Sequence, residues 1–195
     1  MKQIFTTTTL VLFAILLFFS SCNDCSVSVA QFENGDSNWT VYNSGDTLHL
    51  VDEKNTVFRF VNTRITSDPV PGEGFSPTDA CIEQYDTRRA SVMQETTNPK
   101  RLPGLSVVAL KKPSVIQVSL VVVNRGELPI PDLNTPQHAS LQVNGFTYQN
   151  VFDLVSNDSI PDGVRRILFN REYGFLQVEY FRGVTTHGRV LKRVP

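Results

Sequence analysis

The stretch LSVVALKKPSVIQVSLVVVN, residues 105–124, decides the fold class of this chain. It holds two runs, 105–110 and 115–124, that are rich in valine and leucine, residues that suit a pleated, half-buried strand. In the second run Ile116, Val118, Leu120 and Val122 alternate with Gln117, Ser119, Val121 and Val123. This alternation predicts a strand that is half exposed at its start and buried at its end, and residues 111–114 predict the turn that joins the two strands.

Similar short runs continue on both sides of this pair, separated by clusters of Gly, Asn and Asp that are typical of turns. In one of them, alternation places Phe58 and Phe60 opposite Val57 and Arg59. The runs are 39–42, 47–51, 56–65, 81–85, 89–96, 139–145, 146–155, 165–170, 175–181 and 189–194. Their spacing predicts an all-β domain, either an antiparallel β-sandwich or a strongly curved or half-open barrel of about ten strands with meander connections.

Three segments do not fit the strand pattern. Residues 66–79 and 125–138 each contain three prolines. Since proline removes a donor from a sheet ladder, both are predicted to be long loops, a class of segment that often carries function. Residues 79–93 have room for a short helix between the first of these loops and the next strand.

The N-terminus has the three parts of an export signal. Lys2 supplies the positive end, residues 10–19 are an unbroken apolar run, and two serines precede Cys22. An apolar run of ten residues is well short of the roughly 20 that span a bilayer as a helix. Residues 1–21 are therefore predicted to be a signal peptide, with a membrane-spanning anchor as the alternative.

The end of this signal, Phe18-Phe19-Ser20-Ser21-Cys22, resembles the lipobox of bacterial lipoproteins. The resemblance implies that the chain is cleaved before Cys22 and that lipid is attached to this cysteine. The partner of the chain is then a membrane, which it binds through acyl chains, and several acyl chains on one residue give stable anchoring. Phe19 and Ser21 depart from the family's preferred Leu and Gly or Ala. The two residues after Cys22 do not resemble a strong inner-membrane retention signal, so the expected location is the bacterial outer membrane, on a side that the sequence leaves open.

The mature chain divides into a lipidated tether, 22–37, and a single all-β domain, 38–195. The runs 165–170 and 175–181 resemble the C-terminal hairpin of small outer-membrane lipoproteins, and 39–42 with the following Gly45-Asp46 resembles their opening hairpin. These are likenesses of hydrophobicity and turns. They imply an all-β lipoprotein and carry no activity with them.

Cys25 and Cys81 are the two cysteines that remain once Cys22 carries lipid. Disulfides persist in exported compartments, so these two are predicted to form a bridge between the tether and the domain. The alternative is two independent thiols, because sequence does not give the distance between them.

The charge and the motifs exclude several function classes. The chain has 18 basic and 19 acidic residues, which gives no field for nucleic acid. His49, His138 and His187 lack partners at metal-ligand spacing, and neither a Gly-x-Ser-x-Gly elbow nor a phosphate loop occurs. The sequence therefore predicts no catalytic residue, metal or cofactor. Asp153, inside an apolar run, is expected either to be hydrogen-bonded or to point outward.

A candidate binding surface lies near the C-terminus, where aromatic and arginine side chains cluster. Its members are Tyr173, Phe175, Tyr180, Arg171 and Arg182. Such a cluster suits a carbohydrate or a peptide, although strand alternation turns some of these rings into the core.

Together these features favour a membrane-anchored, exported lipoprotein with a non-enzymatic role in binding or envelope assembly, with an envelope protein or a glycan as partner. One alternative is a carrier of lipid or another hydrophobic ligand in a half-open barrel. Another is a hydrolase whose site is assembled from residues distant in sequence. The sequence does not predict the oligomeric state.

Overall fold

The computed structural model describes residues 25–96, 102–157, 160–183 and 188–194, and this part of the chain is built from strands. The single helical element described is a short 3-10 helix, Asp36–Trp39, so no described helix is long enough to cross a membrane. The strands are β1 Ser28–Val29, β2 Thr47–Val51, β3 Val57–Pro71, β4 Gln84–Glu95, β5 Leu105–Lys111, β6 Ile116–Val122, β7 Gly126–Pro129, β8 His138–Val143, β9 Phe146–Val155, β10 Val164–Asn170, β11 Gly174–Tyr180 and β12 Val190–Val194.

Eleven of these strands form one antiparallel, curled sheet, which confirms the all-β class and the half-open barrel. The strand order is β7-β6-β5-β4-β3-β2-β12-β11-β10-β9-β8, and β1 adds to β4 in parallel. Most neighbours are consecutive in sequence, as in a meander. The sheet curls until β7 lies beside β9 and β10, and near there the Val164 N–H donates to the Arg125 carbonyl over 2.9 Å.

The concave face of the sheet is filled with apolar side chains. Phe58 and Phe60 point into this core while Val57 and Arg59 are exposed, as the alternation in β3 predicts. Other fully buried members are Leu48, Leu50, Met93, Leu105, Leu120, Phe152, Ile167, Phe169 and Phe175. The interior of this half-barrel is therefore a packed core made of residues from every long strand.

A second, smaller cluster covers the convex face. It contains Val143, Tyr148, Val151, Leu168 and Leu176. The strand β9 bends at Asn150, which has a φ of 53°: residues up to Val151 pair with β8, and those from Phe152 on pair with β10. Because of this bend the β8–β9 hairpin folds back over the convex face, and β10 and β11 are buried on both sides.

The Pro-rich segment 66–79 is not a loop throughout, which corrects the sequence prediction. Strand β3 continues to Pro71 and pairs with β4 over this length. The Gly72 N–H donates to the Gln84 carbonyl. By alternation along the strand, the ring nitrogens of Pro69 and Pro71 point away from β4, to an edge where no ladder donor is needed.

Two other segments also differ from prediction. Residues 79–93 hold no helix; most of them belong to the long strand β4, which joins the predicted runs 81–85 and 89–96. The predicted loop 125–138 contains β7, a short strand paired with β6. In both cases pairing with a neighbouring strand overrides the local signal.

Residues 39–42 form no strand, although a strand was predicted there. Trp39 and Tyr42 are buried, but the backbone is held by side chains: the Asn62 amide donates to the carbonyls of Tyr42 and Asn43 over 3.0 and 2.9 Å. The Tyr42 hydroxyl accepts the Phe175 N–H at 2.7 Å. The segment therefore packs as an irregular plug against the sheet.

The predicted disulfide between Cys25 and Cys81 is confirmed, with their Cα atoms 5.9 Å apart. It ties residues 25–37, part of the predicted tether, to the tip of the β3–β4 hairpin. The same segment pairs with β4 through β1 and buries Ala30, whose carbonyl accepts the Thr87 hydroxyl at 2.6 Å. The predicted signal peptide and Cys22 lie outside the described residues.

Replacing Cys25 and Cys81 together by serine is expected to lower the free energy of unfolding by on the order of 4 kcal/mol, because the bridge closes a loop of more than fifty residues in the unfolded chain. Urea unfolding of the variant and the wild-type chain measures the difference. A reductant should destabilise the wild-type chain and leave the variant unchanged. A loss below about 1 kcal/mol would show that the bridge does not restrict the unfolded state.

Candidate functional site

A groove of about 850 Å³ lies between the edge formed by β6 and β7 and the turn that joins β10 to β11. The short 3-10 helix forms its third side. The lining residues used below are Asp36, Trp39, Gln117, Ser119, Pro129, Pro131, Asp132, Asn134 and Arg171. We call this feature the Trp39–Arg171 groove.

Trp39 and Arg171 form the floor of the groove. Trp39 is 3% exposed and its ring lies 5.4 Å from that of Phe152, inside the core. The Arg171 guanidinium lies 4.4 Å from the centre of the Trp39 ring, on its outer side. A planar cation over an indole is a favourable cation–π arrangement that leaves the guanidinium N–H groups at the edge free for hydrogen bonding.

The loop after β7 forms one wall and is stiffened by its own hydrogen bonds. The Asp132 carboxylate accepts the Thr135 hydroxyl at 2.6 Å and the Asn134 N–H at 2.9 Å. The hydrogen bond from Thr135, and after it the one from Asn134, hold the pKa of Asp132 below its usual value. Pro129 and Pro131 restrict the backbone further. This wall therefore presents a carboxylate, an amide and two flat apolar rings in a fixed arrangement.

The 3-10 helix forms the third side of the groove. The Asp36 carboxylate accepts the Glu33 N–H at 3.0 Å and pairs with Lys111 Nζ, also at 3.0 Å. The Glu33 N–H is the largest cause that lowers the pKa of Asp36, and the neighbouring Lys111 lowers it further. Asp36 is therefore ionised at neutral pH, and its pairing with the buried Lys111 fixes the position of this side of the groove.

Strand β6 supplies polar side chains to the lining of the groove. Gln117 and Ser119 are the positions that the sequence pattern assigns to the exposed face, and both line the groove. With Arg171, Asn134 and Asp132 they give a mixed set of donors and acceptors beside apolar proline rings. Such a surface matches a ligand that is itself rich in both donors and acceptors.

The five residues of the predicted binding cluster do not share one surface. Phe175 and Tyr180 are 0% and 2% exposed and belong to the core, the alternative that strand alternation allowed. Tyr173 is 40% exposed on the convex side, with its ring centre 5.4 Å from that of Tyr148. Arg182 is exposed and does not line the groove. Arg171 is thus the member of the cluster that the structure places in the groove.

Trp39 was missed as a site residue, since the sequence analysis treated it as the start of a strand. A signal was present: it is the single tryptophan of the chain and sits just before a turn cluster. What the sequence does not show is that Arg171 lies over it, because the two are 132 positions apart.

A separate charged network crosses the convex face. Asp153 on β9 receives two hydrogen bonds of 2.6 Å from Arg166 on β10 and one contact of 2.9 Å from His138 Nε2 on β8. Arg166 also reaches Glu179 on β11 at 3.5 Å. Arg166, and after it His138, hold the pKa of Asp153 below its ordinary value. Both carboxylate oxygens of Asp153 are thus engaged, and the network ties four adjacent strands.

No group of three or more His, Cys, Asp or Glu in the described part of the chain is placed to hold a metal ion, and His187 lies outside that part. Comparison of the chain with protein-family models, with curated proteins and with solved structures finds no match. The geometry of the groove and the N-terminal sequence are therefore the observations on which a function can be based.

Replacing Asp153 by Asn is expected to cost about 2 kcal/mol at pH 7, because charged hydrogen bonds from Arg166 and His138 are lost. The lowered pKa of Asp153 means that its contribution is present above about pH 4 and is lost as the pH falls through the folded-state value. The difference between the urea midpoints at pH 7 and pH 3 should therefore be smaller for the variant than for the wild-type chain. Glu53→Gln, in an exposed turn, is the control. An unchanged pH dependence in Asp153→Asn would contradict this assignment.

Proposed function

We propose that this chain is an exported bacterial lipoprotein, anchored through lipid on Cys22, that binds an envelope glycan in the Trp39–Arg171 groove. The observation that carries the binding assignment is the Arg171 guanidinium, whose central carbon lies 4.4 Å from the centre of the Trp39 ring in an open groove. It is a preorganised donor, because its contact with the buried indole holds it in the groove before a ligand arrives.

Support for export and anchoring comes from both ends of the N-terminal segment. The signal peptide and the lipobox resemblance support the attachment of lipid to Cys22, three residues before Cys25. Cys25 is bonded to Cys81, and such a bridge is typical of oxidising, exported compartments. Three residues span at most about 11 Å, so the lipid would hold the tip of the β3–β4 hairpin close to the membrane surface.

Support for a glycan comes from the chemistry of the groove. Sugar rings present hydroxyl groups that both donate and accept hydrogen bonds, together with apolar C–H faces. The groove offers a guanidinium, two amides and a carboxylate beside the rings of Pro129 and Pro131. Since most of these groups are planar and their backbone is restrained, they are suited to pairing with neighbouring hydroxyls.

The alternative functions have less support. A carrier of lipid needs an apolar cavity, whereas the concave face of this half-barrel is filled by core side chains such as Phe58, Phe60 and Phe152. A hydrolase would be sought first at His138 and Asp153, but Arg166 engages both oxygens of that carboxylate. Binding in the groove needs no rearrangement of either region.

The anchor is tested with Cys22→Ser in bacteria grown with an alkyne analogue of palmitate. The wild-type chain is expected to be labelled and to stay with the membrane pellet after a high-salt wash. Cys22→Ser should lose the label, whereas Cys25→Ser should keep it. Equal labelling of wild type and Cys22→Ser, or labelling of neither, would rule out lipid on Cys22.

The groove is tested with peptidoglycan fragments released by lysozyme, added to the full chain in detergent. Trp39 is the only tryptophan, so its fluorescence reports directly on the floor of the groove. We expect a saturable change, with Arg171→Ala weakening binding at least tenfold, or about 1.4 kcal/mol.

Arg182→Ala is the matched control, since Arg182 is an exposed arginine outside the groove, and its dissociation constant should stay within about twofold of the wild-type value. Equal weakening by both variants would indicate general charge attraction instead of groove binding. A saturable response to an unglycosylated peptide pool, and none to the fragments, would overturn the glycan assignment.

A further inference from the structure

Among the described residues, no strand pairs with the second edge of the outer half of β3, and we call this the free edge of β3. Strand β2 pairs only with residues 57–61 of β3, and β3 then continues to Pro71 with β4 on one side. The side chains of residues 63–69 are exposed or half-exposed, and Ile65 is 37% exposed. An edge of this length carries backbone donors and acceptors that are open to another strand.

Alternation along β3 fixes which groups point to that edge. Since the Gly72 N–H bonds to β4, residues 66, 68 and 70 also direct their backbone groups to β4. Ile65 and Ser67 therefore direct both N–H and C=O outward, while Pro69 and Pro71 direct only a carbonyl outward. Along the chain, the edge therefore has two positions that both donate and accept, followed by two proline positions that only accept.

This order is self-complementary. In an antiparallel pair centred on Ser67, each Ser67 N–H meets the Ser67 carbonyl of the other copy. Each Ile65 N–H meets a Pro69 carbonyl of the other copy. Because proline has no N–H of its own, every backbone donor in this pair of positions has an acceptor. We propose that a second copy of this chain adds to the free edge of β3 in this register, about a two-fold axis through Ser67.

Two further features favour the same register. The backbone of Asn62 is already bonded to Asp46 and Gly45, so an added strand has to end opposite Thr63. The register centred on Ser67 places Pro71, the last residue of β3, at that point. It also places Asp68 opposite Thr66 and diagonal to Arg64 of the second copy, within reach of an ion pair across the edge.

The test uses Ser67→Pro and Ser67→Ala in the full chain, with mass measured by light scattering in detergent. The Ser67 N–H points away from β4, so proline should keep the β3–β4 ladder and the circular dichroism spectrum. We expect a dimer that Ser67→Pro weakens at least tenfold and Ser67→Ala, which keeps the N–H, weakens less than about twofold. A wild-type chain that is monomeric at about 100 µM would overturn the proposal.

A second measurement does not depend on how Ser67→Pro folds. In the proposed register the two Ser67 Cα atoms are about 5.5 Å apart, within disulfide range. Ser67→Cys is therefore expected to form a covalent dimer under mild oxidation at least tenfold faster than Thr147→Cys, an exposed position on β9. Equal rates for the two variants would overturn the proposal.

Discussion

The structure depends on how the open end of a curled, half-open sheet is closed. Its concave face is apolar, and a sheet that does not close on itself would leave that face in contact with water. Trp39 fills the gap, packed on Phe152 from inside and covered by Arg171 from outside. The Trp39–Arg171 groove is a consequence of this closure, because the side chains that close the core meet solvent there. The packing of the core and the proposed binding surface therefore share the contact between Trp39 and Arg171.

The local sequence pattern was sufficient to predict the strands that pack against the core. The alternation in residues 115–124 predicted β6, and that in residues 56–65 predicted which side of β3 bears Phe58 and Phe60. It failed where a neighbour decides the structure. Pro69 and Pro71 were assigned to a loop because sequence does not distinguish a central strand from an edge strand, and an edge tolerates proline. Residues 39–42 were assigned to a strand because burial alone does not reveal that Asn62 satisfies their carbonyls.

The candidate site was less predictable than the fold, because the strand order brings together residues that are distant in sequence. Arg171 was predicted to be a binding residue, yet its partner Trp39 and the polar residues Asp132 and Asn134 come from two other segments. The predicted neighbours Phe175 and Tyr180 are on the core side of the same hairpin. A pattern of period two says that successive side chains face opposite ways but not which face is the interior. Asp153 shows the same limit, since its engagement by Arg166 needs the β9–β10 register.

Prolines occur at both of the surfaces described above, the Trp39–Arg171 groove and the free edge of β3. Pro129 and Pro131 lie where β7 ends, and Pro69 and Pro71 lie on the free edge of β3. In each place a proline withholds a donor and so limits how far a further strand can pair. At β7 the Ile130 N–H donates to the Val118 carbonyl, so by alternation the nitrogens of Pro129 and Pro131 point away from β6, to the outer edge of β7. At β3 this limit leaves an edge whose remaining donors match its own carbonyls. At both edges, proline placement therefore decides which donors the outer backbone can offer to a further strand.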